Sequence, residues 1–170
     1  MSDIAWQNVM YDRLRGAGVS IFSFVPDGGH KLAIERAVMD PDVTAVTLST
    51  EEEGVALAAG AHLGGGKSVL LIQSSGVGNC INMLSLIGIG RFPFLAIVTM
   101  RGEYGEGNPW QIPMGQGSVP CLEAMGVTCI RAETPQELPQ AVDAALTMAF
   151  KAGIPVALLL SQKLIGAKPF

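Results

Sequence analysis

Apolar residues along this chain fall into short unbroken runs, and amphipathic stretches separate them, so strands and helices are expected in turn. Trp6, Val9, Met10 and Leu14 recur at helical spacing, and Gly16 and Gly18 close that helix. Residues 19–25 form a run suited to a buried strand, ended by Pro26-Asp27-Gly28-Gly29. Residues 31–39 repeat apolar positions as a helix does, and Pro41 stops them. A strand over 43–48 leads to Ser49 or Thr50 as N-cap of a helix that begins with three glutamates and continues almost wholly in Ala and Gly. Further strands are predicted at 69–73, 94–99, 127–130 and 155–160, with helices at 78–87 and near 119–125. Thr134-Pro135-Gln136-Glu137 opens a last helix running to about 151.

Continuous apolar strands alternating with helices predict an α/β fold of three layers, a mainly parallel six-stranded sheet covered on both faces. Ligands on such sheets bind beyond the carboxyl ends of the strands. The turns 26–30, 49–53, 73–79 and 100–117 are therefore where chemistry is expected, and they hold nearly every polar residue of interest. No repeat or linker divides the chain, so residues 1–170 are read as one domain.

Composition narrows the function. A net charge of −4 without any Lys/Arg run argues against a polyanion-binding surface. The longest apolar stretches, such as 92–100, are too short to span a bilayer, and residues 1–15 lack the apolar run of a signal peptide, so a cytoplasmic location is expected. Cys80, Cys121 and Cys129 have no CxxC spacing; buried thiols are expected, with no disulfide framework and no metal site. Charged residues make up only 15% of a chain with 21 glycines and 8 methionines, which suggests that another subunit covers part of its surface.

Two glycine-rich motifs carry little. Gly64-Gly65-Gly66-Lys67-Ser68 ends a helix and opens a strand, the reverse of a phosphate loop, and Ala61 stands where the first glycine belongs. Gly76-Val77-Gly78 follows a strand, but Ile81 occupies the third glycine position of a dinucleotide fingerprint. Asp27 is either a helix cap or a group flanking a substrate, and His30 either a solvated helix-start residue or its companion in proton transfer. His62, within the Ala/Gly helix, reads as a packing or interface residue. The segment 101–117 is long for a compact domain and reads as a lid or an interface element around Trp110.

Taken together, Glu51 to Leu63, Gln73 to Asn79, Arg101-Gly102-Glu103 and Gln111-Ile112-Pro113-Met114-Gly115 resemble the pyrimidine-binding (PYR) domain of thiamine-diphosphate enzymes. Among these the chain is similar to sulfopyruvate decarboxylase alpha subunits and to phosphonopyruvate decarboxylases. The resemblance implies that the glutamate nine residues before a helix glycine activates the cofactor; Gly60 counts back to Glu51, with Glu52 as the alternative. It implies that Ser74, Ser75 and Gly76 lie beside the cofactor with Asn79 ordering the turn, that Asp27 and His30 serve catalysis, and that Gln111 and Arg101 meet the substrate. Arg101 is placed to bind an anionic tail, or else it pairs with Glu103, Glu106 or a partner. No Gly-Asp-Gly motif occurs, so the resemblance implies a beta subunit whose PP domain holds Mg2+ and the diphosphate of a shared thiamine diphosphate. The implied reaction is decarboxylation of a 2-oxoacid, sulfopyruvate first; phosphonopyruvate, an acyl-anion transfer of the acetolactate or transketolase kind, and a non-catalytic partner role stay open.

Overall fold

The structure, a computed structural model, describes residues 4–167; the first three and last three positions of the 1–170 domain lie outside the described residues. Six parallel strands form one sheet: β1 (Ile21–Phe24), β2 (Thr44–Thr47), β3 (Ser68–Gln73), β4 (Leu95–Thr99), β5 (Thr128–Ala132) and β6 (Val156–Leu160). Their order is β2-β1-β3-β4-β6-β5. Helices α1 (Ile4–Gly16), α2 (Lys31–Met39), α3 (Glu53–Leu63), α4 (Ser74–Gly90), α5 (Ile112–Ala124), α6 (Leu138–Thr147) and the short α7 (Gln162–Ile165) connect and cover it.

The unbroken apolar runs follow from burial on both faces. Val69 and Leu71 point into a core shared with α1, α2 and α6, while Leu70 and Ile72 point into the opposite core with α3, α4 and α5. Strands β4 and β6 divide in the same way. Chain direction along the sheet reverses between β1 and β3, and the carboxyl ends of these strands flank the crevice where such sheets take ligands. The Ala/Gly character of α3 has a local reason at Gly54, where a methyl would overlap Leu70 on β3.

Three of the boundaries that differ from the sequence reading shape the carboxyl edge. Neither Ser49 nor Thr50 caps α3; residues 50–52 form a turn, and the carboxylate of Glu53 accepts from the Ser49 N–H at 2.8 Å. Helix α4 begins at Ser74, so the Ser-Ser-Gly segment is a helical first turn instead of a loop. Helix α5 begins at Ile112, seven residues before the predicted start near 119, despite Pro113, Gly115, Gly117 and Pro120. Pro113 sits in the first turn, where a missing N–H costs no helical bond. Gly115 is small because Arg101 demands it: a methyl there would overlap the Arg101 carbonyl oxygen. The tertiary contact, not propensity, extends this helix.

Gly115→Ala is accordingly expected to destabilise the fold by about 1–3 kcal/mol, since the obstruction is backbone and cannot rotate away. Urea unfolding checks this; a midpoint equal to that of the wild type would contradict the packing described.

Candidate active site

The first turn of α4 meets the turn after β2. Here the Glu51 carboxylate lies against Gly76, in the space a side chain would fill, so any Cβ at Gly76 would overlap Glu51 Oε1. Asn79, one helical turn further on, donates from Nδ2 to Glu51 Oε2 at 2.8 Å. Asn79 thus steadies the glutamate, where the sequence reading had it ordering the Ser-Ser-Gly turn. Cys80, packed beneath, has its thiol pushed up to about 12 by burial, with the Glu51 and Glu52 charges adding to the effect.

Ser74 and Ser75 separate in role. Ser74 is fully buried; its Oγ accepts from the Arg101 N–H at 3.1 Å, and its carbonyl accepts from Ser118 Oγ at 3.1 Å. It joins the loop after β4 to α5, with its hydroxyl turned to the interior. Half-buried Ser75 donates to Gln73 Oε1 at 2.9 Å, and Gln73 Nε2 donates to Asp27 Oδ1 at 2.9 Å.

Asp27 is a hub at the carboxyl edge. Its Oδ2 accepts from Thr99 Oγ1 at 2.7 Å and from the Gly29 N–H at 3.0 Å, so it caps the 3-10 turn Gly28–His30 while gathering the ends of β1, β3 and β4. Burial works against its charge, but His30 and the donors from Thr99, Gln73 and Gly29 outweigh that and hold the carboxyl below its ordinary range. His30 is not solvated. It is fully buried, and Nε2 donates to the carbonyls of Ile72 and Ile97, each at 3.1 Å. Burial lowers its pKa against the pull of Asp27 and the two carbonyls, so the ring stays neutral, and Nδ1 is left without a partner. The expected proton donor facing a substrate is therefore corrected to an internal pin between β3 and β4.

Arg101 is also buried, and its Nε and Nη2 both donate to Glu106 at 2.6 Å. Glu106 further accepts from Gly102 N–H, Asn108 N–H and Gln162 Nε2. The Arg101 side of its expectation, a guanidinium wholly free for an anionic tail, is corrected: two of its three nitrogens are engaged within the chain. The Arg-Gly-Glu motif gains a physical account here. Gly102 adopts φ 75°, a conformation that favours glycine, and a methyl there would overlap Gln111. Glu103 accepts from the Gln162 N–H at 2.9 Å and pairs with Arg131. The segment 101–111 is thus a folded strap, with Asn108 capping a 3-10 turn at Pro109–Gln111. Gln111 is buried, and its Oε1 has no hydrogen-bond partner. Glu106 and Gln162 are the site-building residues that sequence reading did not select; only the pairing option for Arg101 pointed toward Glu106.

Comparison with known proteins adds the following. The family model described as "Pyruvate flavodoxin/ferredoxin oxidoreductase, thiamine diP-bdg" matches residues 28–167. The sulfopyruvate decarboxylase subunit alpha of Methanococcus maripaludis is 34% identical over 152 residues, covering 89% of this chain and 91% of that protein. A phosphonopyruvate decarboxylase of Streptomyces viridochromogenes is 33% identical over 92% of this chain, which corresponds to 40% of that protein. Among solved structures, the 2-oxoglutarate:ferredoxin oxidoreductase from Magnetococcus marinus superposes with a TM-score of 0.72 at 16% identity, covering 94% of this chain and 29% of that one; it shares the fold.

Two outcomes follow from the geometry. Gly76→Ala should displace the Glu51 carboxyl and break its bond with Asn79 while the domain stays folded, because the obstructing atoms end a flexible side chain; an unmoved Asn79 side-chain amide resonance in NMR would contradict this. The Arg101 guanidinium, acting against burial and together with Asn108, Gly102 and Gln162, pulls Glu106 from 4.5 down to about 2. A depressed carboxyl stabilises the fold fully above its unfolded value and loses that contribution as pH falls through its folded value. Glu106→Gln should therefore lower stability at pH 7 and flatten its decline between pH 4.5 and 2, as followed by thermal unfolding.

Proposed function

Because the chain belongs to the family of sulfopyruvate decarboxylase alpha subunits, built on a thiamine-diphosphate-binding domain, we propose that it supplies half of an active site converting sulfopyruvate to sulfoacetaldehyde and carbon dioxide. The observation that carries this reading is the Glu51 carboxylate seated over Gly76 and steadied by Asn79 at the carboxyl edge of the sheet. These residues fit the cofactor: a glycine leaves the floor of the cradle open, and the carboxylate has one oxygen, Oε1, without a hydrogen bond from Asn79. Thiamine diphosphate, when bound, supplies the electron sink for the pair that departing carbon dioxide leaves behind. Glu51 would hold the pyrimidine ring nitrogen and favour the tautomer in which the neighbouring amino group is basic. Ser75 and Gly76 would line the ring, and Asp27, kept ionised by its donors, would orient the reacting groups of the substrate.

The partner is part of the same reading. The relatives named subunit alpha support a partner, and a beta subunit with a PP domain would hold the diphosphate and Mg2+. The surface supports such a partner: Leu63 and Ile89 are 87% and 81% exposed, beside an apolar groove of about 340 Å³ between α3 and α4 that Ala59, Leu86 and Phe92 complete. Gly60, nine residues after Glu51, has open space where a Cβ would stand, so nothing within this chain requires glycine there. Among the described residues no helix is long and apolar enough to cross a membrane. A phosphonopyruvate substrate is the second reading, favoured by the Streptomyces relative.

In the complex of this chain with its beta subunit, Glu51→Gln should assemble normally and lose turnover by about a hundredfold or more, with far less change in KM. Steady-state decarboxylation of sulfopyruvate, phosphonopyruvate and pyruvate tests both substrate readings. Near-normal turnover in Glu51→Gln beside a dead Glu52→Gln would move the activating role one residue along.

A further inference from the structure

Gln73 ends β3 and stands at the cap position of α4, where Ser, Thr, Asp or Asn would hold the first turn, yet its side chain makes no capping bond. The amide reaches sideways along the carboxyl edge instead. Its Oε1 accepts from Ser75 Oγ and its Nε2 donates to Asp27 Oδ1, each at 2.9 Å, so one side chain joins the turn after β1 to the first turn of α4. Thr99, its register partner on β4, donates to the other oxygen of Asp27 at 2.7 Å. Asp27 therefore reaches across the end of β3 and is held by β3 and β4 alike. Charge sets the sense of these bonds. An ionised carboxylate only accepts, so it draws the NH2 end of the amide and turns the carbonyl end toward Ser75. The Ser75 hydroxyl then spends its one hydrogen on Gln73, and its oxygen keeps only lone pairs for whatever lies beside the turn.

We propose that Gln73 is a positioning residue, which holds Asp27 for the substrate and makes Ser75 a hydrogen-bond acceptor toward the cofactor. The proposal rests on the reading of Asp27 and Ser75 as the substrate-facing and cofactor-facing groups of a decarboxylase. While Asp27 stays ionised, Ser75 favours a ligand N–H or O–H and disfavours a carbonyl or carboxylate oxygen. The substrate side and the cofactor side of the edge are thus tied through one neutral amide. Neutrality matters there, because a carboxyl in its place would set a second negative charge about 3 Å from Asp27, and two such groups do not both ionise freely. The other charged or titratable groups beside Asp27 are His30 on its own turn, Lys31 and Glu35 in the first turns of α2, and Arg101 after β4; substitution at Gln73 leaves all four in place.

Gln73→Met keeps the length of the side chain and removes both bonds, whereas Gln73→Glu keeps the shape and adds a charge. In the full chain, carbon-13 NMR of the Asp27 carboxyl, assigned through Asp27→Asn, is expected to show titration at higher pH in Gln73→Met than in the wild type, because the Gln73 amide favours the ionised form. In the complex with the beta subunit, Gln73→Met should lose about tenfold or more in kcat on sulfopyruvate across the pH range. Gln73→Glu should lose as much at about pH 8 and recover as pH falls to about 5, where its protonated carboxyl donates to Asp27 as the amide did. A side chain that only fills space would give no such recovery. An Asp27 midpoint unmoved in Gln73→Met, or a Gln73→Glu variant whose kcat relative to the wild type does not rise as pH falls, overturns the proposal. A wild-type complex that leaves sulfopyruvate unchanged, beside a shifted Asp27 midpoint, would instead count against the proposed reaction and not against the hold of Gln73 on Asp27.

Discussion

The first turn of α4 is the joint on which the whole carboxyl edge depends. Four separate constraints converge within it. Gly76 makes room for Glu51, Ser74 Oγ takes the Arg101 N–H, the Ser74 carbonyl takes Ser118 of α5, and Ser75 begins the relay through Gln73 to Asp27. Both Ser74 contacts involve backbone and are buried, so the turn has little freedom to shift without disturbing the others. A parallel sheet supplies the platform, because its strands end together at one edge and its loops must meet there.

Charge on that edge is managed by pairing. Arg101 and Glu106 are both nearly closed to solvent, and leaving either alone would expose the other to the cost of a buried unpaired charge. Glu106 avoids that by accepting from five donors, which convert a long Gly/Pro-rich segment into a rigid strap anchored by Gln162 of α7. Asp27 follows the same logic with Gln73, Thr99 and Gly29. His30 shows the other solution: burial keeps the ring neutral and uses it to tie two strands at the level of their last carbonyls.

These pairings leave four buried side-chain atoms without a partner among the described residues: Trp6 Nε1, Gln7 Oε1, His30 Nδ1 and Gln111 Oε1. The apolar flank of α3 and α4, carrying Leu63 and Ile89, lies at the carboxyl ends of those helices, opposite the end where Glu51 meets Gly76.

The sequence by itself determined the architecture, since apolar runs long enough for strands and repeats at helical spacing report burial directly. Six strands and their parallel arrangement were legible for that reason, and so was the Ala/Gly-rich helix that follows the first glutamates. Tertiary structure decided what each polar residue does. Nothing local distinguishes Asn79 as a partner of Glu51, 28 positions away, or Gln162 as a partner of Glu106, 56 away. Ser74 and Ser75 are neighbours in sequence, yet one faces the interior and the other the site, because a helical first turn rotates successive side chains by about 100°. The first two turns of α5 were read as loop from their glycines and proline, and they are helical where Gly115 fits beneath Arg101. Periodic burial is written along the chain, whereas hydrogen-bond partners across the carboxyl edge exist only once the strands are side by side.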